Sequence, residues 1–410
     1  MFLHIGAMKT GTTYLQRLME VNADSLDRAG YLFPVEGGWS RQVIAVRDVL
    51  RQKGDPRIRR RAEGAWQRMA DRILSYEGDA AILSMEFLSF AKPGDVQRIA
   101  DTFEGAEIHV ILTVRDAAAV IPTQWQTSVR NGHHASWPEF AEQVTGGRET
   151  AGSEGRKVLQ RAQNVGKMLR RWLDAVPPER FHVVTVPSSD SPRSVLWERF
   201  ASVVGVDPAV CSEPAPKSNT SLGHASTALL RMLYLEIGHL TTSERATIKR
   251  RLAQQVLSER ASIEPRAHTD HALRKFAALK NRRIRSAIRA AGVDVVGDLN
   301  DLPTAVPPPS DCTDGVAMAA RADILAAAEF ALPRMRAVVD ERVAALRASG
   351  VPTDDALERL PSPGEAQDSD PLGAAVKELA DVVRVAIELH TRQVDSRQHR
   401  DEDHTEDVTG

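Results

Sequence analysis

Near its start the chain reads His4-Ile5-Gly6-Ala7-Met8-Lys9-Thr10-Gly11-Thr12-Thr13-Tyr14-Leu15-Gln16. The apolar residues 2–5 before it suit a short strand, and residues 12–21 after it have helical composition. Glycines between a strand and a helix let the backbone curl so that several N–H groups face one anion. Thr10, Thr12 and Thr13 are poor helix filler but supply hydroxyl donors and caps. Lys9 adds a cation inside the curl. The chemistry this implies is recognition of a phosphate or sulfate group.

In the nucleoside-triphosphate loop G-x-x-x-x-G-K-[ST] the lysine follows the second glycine and reaches the β- and γ-phosphates. Gly6 and Gly11 keep that glycine spacing and Thr13 keeps the hydroxyl, but Thr12 stands where the lysine belongs. Lys9, three residues earlier, sits nearer the first bridging oxygen and suits a shorter donor. The segment resembles the 5′-phosphosulfate loop of sulfotransferases that use 3′-phosphoadenosine 5′-phosphosulfate (PAPS), roughly G-x-x-K-[ST]-G-[ST]-[ST]-x-L. Gly6, Lys9, Thr10, Gly11, Thr12, Thr13 and Leu15 match it.

That resemblance spans residues 1–302 and implies a three-layer, P-loop-like α/β fold with a parallel sheet flanked by helices. It also implies PAPS as co-substrate, with no metal required. The donor's 3′-phosphate carries about −1.5 to −2 charges and needs a second cationic site. A strand at 108–114 ends on Arg115, whose planar fork suits bidentate phosphate binding. Thr123 follows eight residues later, where the family has serine, and keeps the hydroxyl donor. Asp116 either caps the helix that starts at Ala117 or, in an ATPase, would hold Mg²⁺.

Sulfuryl transfer needs a cation on the departing phosphate and a base for the acceptor's proton. Lys9 is the cation. In heparan-sulfate-type relatives a glutamate just after the second strand acts as base, and Glu86, with Ser89-Phe90 behind it, holds that place. Otherwise Glu86 complements the dipole of a helix start. Ser84 and Ser89 are further candidates to bond donor or acceptor oxygens. Lys217 or Asn219 would close a polar loop over the donor. Tyr31, Phe33, Trp39, Phe87, Trp125 and Trp137 suggest a stacking pocket, although core packing is the common fate of any one. His133-His134 reads as surface loop rather than metal site, and the basic residues 274–289 as a solvated helix face.

The elements that position these residues alternate between strand and helix, as in a parallel sheet covered on both faces. Strands are expected at 2–5, 80–84, 108–114 and 181–186, with helices at 12–21, 59–76, 117–131 and 156–175. Residues 222–292 are mostly helical. Residues 293–299 close the main domain, and prolines mark a linker at 303–315. A helical C-terminal extension follows at 316–395, with helices near 316–348 and 372–394. Leu372, Val376, Leu379, Val383, Ala386 and Leu389 form an apolar stripe on the second of these. The acidic residues 396–410 read as a disordered tail.

Composition limits the alternatives. With 53 Lys+Arg against 55 Asp+Glu in 410 residues, the formal charge is −2. No strongly basic domain of a nucleic-acid binder is expected. Cys211 and Cys312 have no metal-ligand spacing and suit a reduced setting. With no basic leader ahead of an apolar run and no long uncharged stretch, a cytoplasmic protein without a membrane span is expected. Its substrate would be a small-molecule or carbohydrate acceptor. A P-loop kinase or NTPase and a non-catalytic nucleotide-binding module are the competing functions.

Overall fold

The computed structural model describes the chain except residues 36–37, 53–55, 189, 217–220, 310–314, 361–368 and 407–410. Lys217, Asn219 and Cys312 thus lie outside the described residues. Strands β1 (Phe2–Gly6), β2 (Tyr31–Leu32), β3 (Ala80–Ser84), β4 (His109–Val114), β5 (Phe181–Thr185) and β6 (Asp294–Val296) form one sheet in the order β2-β3-β1-β4-β5-β6. Every neighbouring pair is parallel. The protein is therefore an α/β fold with an all-parallel sheet flanked by helices.

Period-two alternation sends the strand side chains to two separate cores. On one face Leu3, Ile5, Leu83, Val110, Leu112 and Val183 pack with Trp66, Ile99, Trp172 and Ile284. On the other, Phe2, Ile82, Ile111 and Val184 pack with Leu15, Leu18 and Met19 of helix Thr12–Val21 and with Leu196, Phe200 and Val204 of helix Ser194–Val204. Burial on both faces explains why these strands read as continuous apolar runs. The register sets His4 beside Ser84 on β3, and shifts against β4 between His4 and Gly6.

Two expected helices are broken, each for a local reason. The helix expected over 59–76 becomes Pro56–Ala62 and Ala65–Leu74, parted at Gly64, which has φ 69°. The helix expected over 156–175 becomes Glu154–Gln163 and Val165–Leu173, because the Asn164 side chain accepts from Lys167 N and caps the second piece. The two-residue strand β2 has too little periodicity to be read from sequence.

The chain divides into two compact units, each assembled from separated segments. Met1–Gln124, Gln143–Ser218 and Thr269–Gly315 make the first, which holds the sheet. Trp125–Glu142, Asn219–His268 and Val316–Gly410 make the second. The sequence reading divides the chain consecutively, at 302, 315 and 395, whereas the two units alternate along it. In the second unit, helix Pro371–Glu406 buries all six residues of the apolar stripe, and Arg336 of helix Arg321–Arg347 pairs with Glu378 at 2.8 Å. The helix extends over 396–406, where the acidic composition suggests disorder. No described helix is long and apolar enough to cross a membrane.

In the first unit one side chain ties the start of helix Ala117–Arg130 to the segment after β6. Asn281 is buried; its Oδ1 accepts from Ala117 N at 3.0 Å, and its Nδ2 donates to Asp116 Oδ1 at 2.7 Å and Pro303 O at 2.8 Å. Asn281→Leu keeps the volume but leaves these groups without their partner. The expected cost is about 3 kcal/mol of unfolding free energy; an unchanged urea midpoint would rule out the clamp.

Candidate functional site

The loop after β1 is held from both sides. Ala7 N donates to Thr113 O at 2.9 Å on β4, and Gln163 Nε2 donates to Met8 O at 2.5 Å from helix Glu154–Gln163. Gly6 and Gly11 have φ 91° and 85°, and Lys9 has φ 65°, so three positions adopt the left-handed region. Two are the glycines of the motif. Lys9 is the exception, an L-residue in a conformation that persists only where the surroundings over-determine it.

Helix Thr12–Val21 starts on Gly11 with no side-chain cap. The backbone N–H groups of Met8, Gly11, Thr12 and Thr13 make no hydrogen bond to any described residue. Buried or half-buried amides are almost always paired, so a cluster of them at a helix N-terminus is a place for an anion. Half-buried Lys9 lies within that cluster.

Glu86 is placed against the loop by the glycine itself. A Cβ at Gly6 would stand 2.9 Å from Glu86 Cβ and 3.2 Å from its Cα. Met85 N donates to His4 O at 3.0 Å, which fixes the turn that brings Glu86 there. Gln16 Nε2, one turn into the helix, donates to Glu86 Oε2 at 3.2 Å and Ser84 O at 3.1 Å. Trp39 Nε1 also donates to Ser84 O, at 3.3 Å, and Gln42 Oε1 accepts from Ser84 N at 2.9 Å. Behind Glu86, Phe87 stacks on Phe90 at 6.0 Å, with Arg161 over Phe90 at 4.5 Å.

Some sequence candidates are committed elsewhere. Thr10 is fully buried, its Oγ1 donating to Ala7 O at 2.5 Å and lying 2.5 Å from Thr113 Oγ1, so its hydroxyl is turned into the protein. Ser84 Oγ is buried 2.7 Å from His4 Nδ1. Ser89 Oγ donates to Glu86 O at 2.7 Å. None of these three hydroxyls faces a ligand as expected, because each satisfies a polar group already removed from water. Trp125 and Trp137 are core side chains of the second unit, their indole N–H groups donating to Ala135 O and His268 O.

Arg115 is half-buried at the end of β4, two residues beyond the strand position that receives Ala7 N. Asp116 Oδ1 accepts from Ala118 N at 3.0 Å and from Asn281, as a helix cap does. Thr123 Oγ1 donates to Val120 O at 2.8 Å, so it must rotate to meet a ligand. Among the described residues, no group of three or more His, Cys, Asp or Glu side chains is arranged to hold a metal. Cys211 is buried and free; burial pushes its thiol up to about 12, which leaves it unreactive.

His4, Gln16 and Gln163 were not among the sequence candidates. His4 interrupts the otherwise apolar Phe2-Leu3-His4-Ile5, and Gln16 occupies the buried face of its helix beside Leu15 and Met19. Those breaks in pattern were the available signals. His4 has no exposed surface; its Nε2 lies 3.3 Å from Thr113 Oγ1, and its ring meets Phe200 edge-on at 5.2 Å. Burial pushes its pKa down to about 3.

No family model matches the chain, and no curated protein matches it. Among solved structures, a sulfotransferase from Alicyclobacillus acidocaldarius is similar at 19% identity and a TM-score of 0.36, over 50% of this chain and 81% of that one. A similarity of this size carries no functional argument, so the reading rests on the site.

Two outcomes follow from this geometry. Gly6→Ala meets both a positive φ and the Glu86 backbone, and should lower the melting temperature and weaken anion binding; wild-type behaviour in both would refute the close approach. Because the folded pKa of His4 lies below its usual 6.5, the unfolded chain binds the extra proton. Stability is then full above about pH 6.5 and falls as pH drops toward 3, by up to about 1.4 kcal/mol per unit. Denaturation of wild type and His4→Gln across pH 7 to 4 checks this, the variant losing less.

Proposed function

We propose that the protein is a sulfotransferase that moves a sulfuryl group from PAPS to a hydroxyl or amine of a small-molecule or carbohydrate acceptor. The observation that carries this reading is the cluster of amides at Met8, Gly11, Thr12 and Thr13 that meet no described residue, with Lys9 between them in the chain and Gly6 of the same loop packed against Glu86. It combines an anion cradle, an internal cation and a carboxylate at one strand end.

The donor's 5′-phosphosulfate would lie in the cradle, and Arg115 with Thr123 would receive its 3′-phosphate. The acceptor oxygen or nitrogen attacks sulfur in line while the sulfur–oxygen bond to the phosphate breaks. Lys9 and the loop amides neutralise charge on the departing adenosine 3′,5′-bisphosphate. Glu86 takes the acceptor's proton. Gln16, bonded to one oxygen of Glu86, would aim the other at the acceptor. Thr12 in place of a lysine after Gly11 disfavours the nucleoside-triphosphate reading, and the role of Asp116 as a cap supports the same choice.

Adenosine 3′,5′-bisphosphate should raise the melting temperature more than ATP with Mg²⁺; stabilisation by ATP alone would favour the kinase or NTPase. Lys9→Ala should abolish transfer. Arg115→Ala should weaken bisphosphate binding about ten- to a hundredfold, the loss of charge-assisted bonds. Glu86→Gln should lower kcat about 10²- to 10⁴-fold with bisphosphate affinity kept; full turnover in this variant would remove Glu86 as base, and binding without turnover in wild type would indicate a non-catalytic module.

A further inference from the structure

The buried polar groups at the ends of β3, β1 and β4 form one line: Ser84 Oγ, His4 Nδ1, His4 Nε2, Thr113 Oγ1, Thr10 Oγ1 and Ala7 O. Ser84, His4, Thr113 and Thr10 have no exposed surface. The line ends on a carbonyl, which only accepts, and this fixes the direction of each proton from Thr10 back to His4 Nε2, the neutral ring then fixing the last. Thr10 donates to Ala7 O, so Thr10 Oγ1 accepts from the Thr113 hydroxyl. Thr113 Oγ1 then accepts from His4 Nε2–H, and His4 Nδ1 accepts from the Ser84 hydroxyl. The line requires a proton on Nε2, and in the neutral ring that burial maintains one arrangement satisfies all four contacts.

We propose that His4 is a positioning residue for the anion loop: through Thr113 it holds the Thr10 hydroxyl inward and so keeps Lys9 in its left-handed conformation. Thr10 follows Lys9 directly and is fully buried, whereas Ala7 and Met8 are tied through their backbone atoms. With Thr10 held on β4 and Ala7 N bonded to Thr113 O, the intervening residues must curl. The curl gathers the unpaired amides. His4 touches no ligand; it acts only by fixing Thr113. Burial, which keeps the ring neutral, agrees with this assignment. The loop's role as donor site rests on the proposed function, but the proton line does not.

Two variant pairs separate positioning from packing. Thr113→Val removes the bridging hydroxyl at nearly constant shape, and Thr113→Ser restores it. His4→Gln keeps a donor near the Nε2 position, whereas His4→Asn keeps only a group near Nδ1 facing Ser84. Titration calorimetry with adenosine 3′,5′-bisphosphate should show at least tenfold weaker binding for Thr113→Val and His4→Asn, and values within about threefold of wild type for Thr113→Ser and His4→Gln. Equal affinity across all four folded variants would overturn the proposal. Nitrogen-15 shifts of His4 in the ligand-free protein should report the neutral Nε2–H form; the Nδ1–H form would also overturn it. If the bisphosphate binds no variant and not the wild type, the sulfotransferase reading fails. Amide hydrogen exchange at residues 9–11 then decides the relay alone, with faster exchange expected in Thr113→Val and His4→Asn, and unchanged exchange overturning it.

Discussion

Backbone amide groups have to be met by an acceptor, and at the carboxyl end of β1 several in buried or half-buried residues meet none within the described residues. That constraint organises the first unit. A peptide segment presenting unpaired donors is unstable unless its backbone is held, and the holding comes from neighbours on three sides. Thr113 on β4 takes Ala7 N and Thr10, helix Glu154–Gln163 takes Met8 O through Gln163, and the Gly6 surface lies against Glu86. The parallel sheet makes this feasible because its central strands end together, so residues far apart in sequence converge on one loop.

The same constraint explains where polar side chains enter an otherwise apolar core. Ser84 is served on three atoms, by Gln42 at its N–H, by Gln16 and Trp39 at its carbonyl and by His4 at its hydroxyl. Ser84 at the end of β3 is fully buried and cannot leave its polar groups to water, so neighbouring segments supply amides and an indole. Gln16 does a second task with the same nitrogen, reaching Glu86. Position of the carboxylate is thereby coupled to the end of β3 and to the first turns of helix Thr12–Val21, the elements that also set the loop.

How much of this was legible in the sequence follows from the range of each interaction. The strands at β1, β3, β4 and β5 could be read because burial on both faces leaves uninterrupted apolar runs, and the loop because left-handed backbone demands glycine at Gly6 and Gly11. The helix breaks at Gly64 and Asn164 were missed where a single turn residue overrides composition. The inward hydroxyls of Thr10, Ser84 and Ser89 could not be assigned, since a threonine or serine has the same identity whether it faces a ligand or a carbonyl three residues away. The interleaving of the two units is further out of reach. It depends on which helices pack together, and residues 219–268 and 271–291 alike read only as helical.

The placement of the lysine carries the strongest functional distinction. A lysine after the second glycine extends from the first helical turn, beyond the loop, and meets charge far along a polyphosphate. Lys9 lies before that glycine, in a left-handed conformation that costs about 1–3 kcal/mol and that only a fixed neighbour sustains. In the proposed function its ammonium would have a shorter reach from the loop amides, suited to the bridging oxygen next to the first phosphate. A loop that accepts strain in order to place a cation there is better matched to breaking a bond at that oxygen than to holding a triphosphate. If the protein transfers a sulfuryl group as proposed, the strain at Lys9 and the neutral imidazole of His4 would belong to one device, a buried proton line keeping a cation where the leaving group's charge would appear.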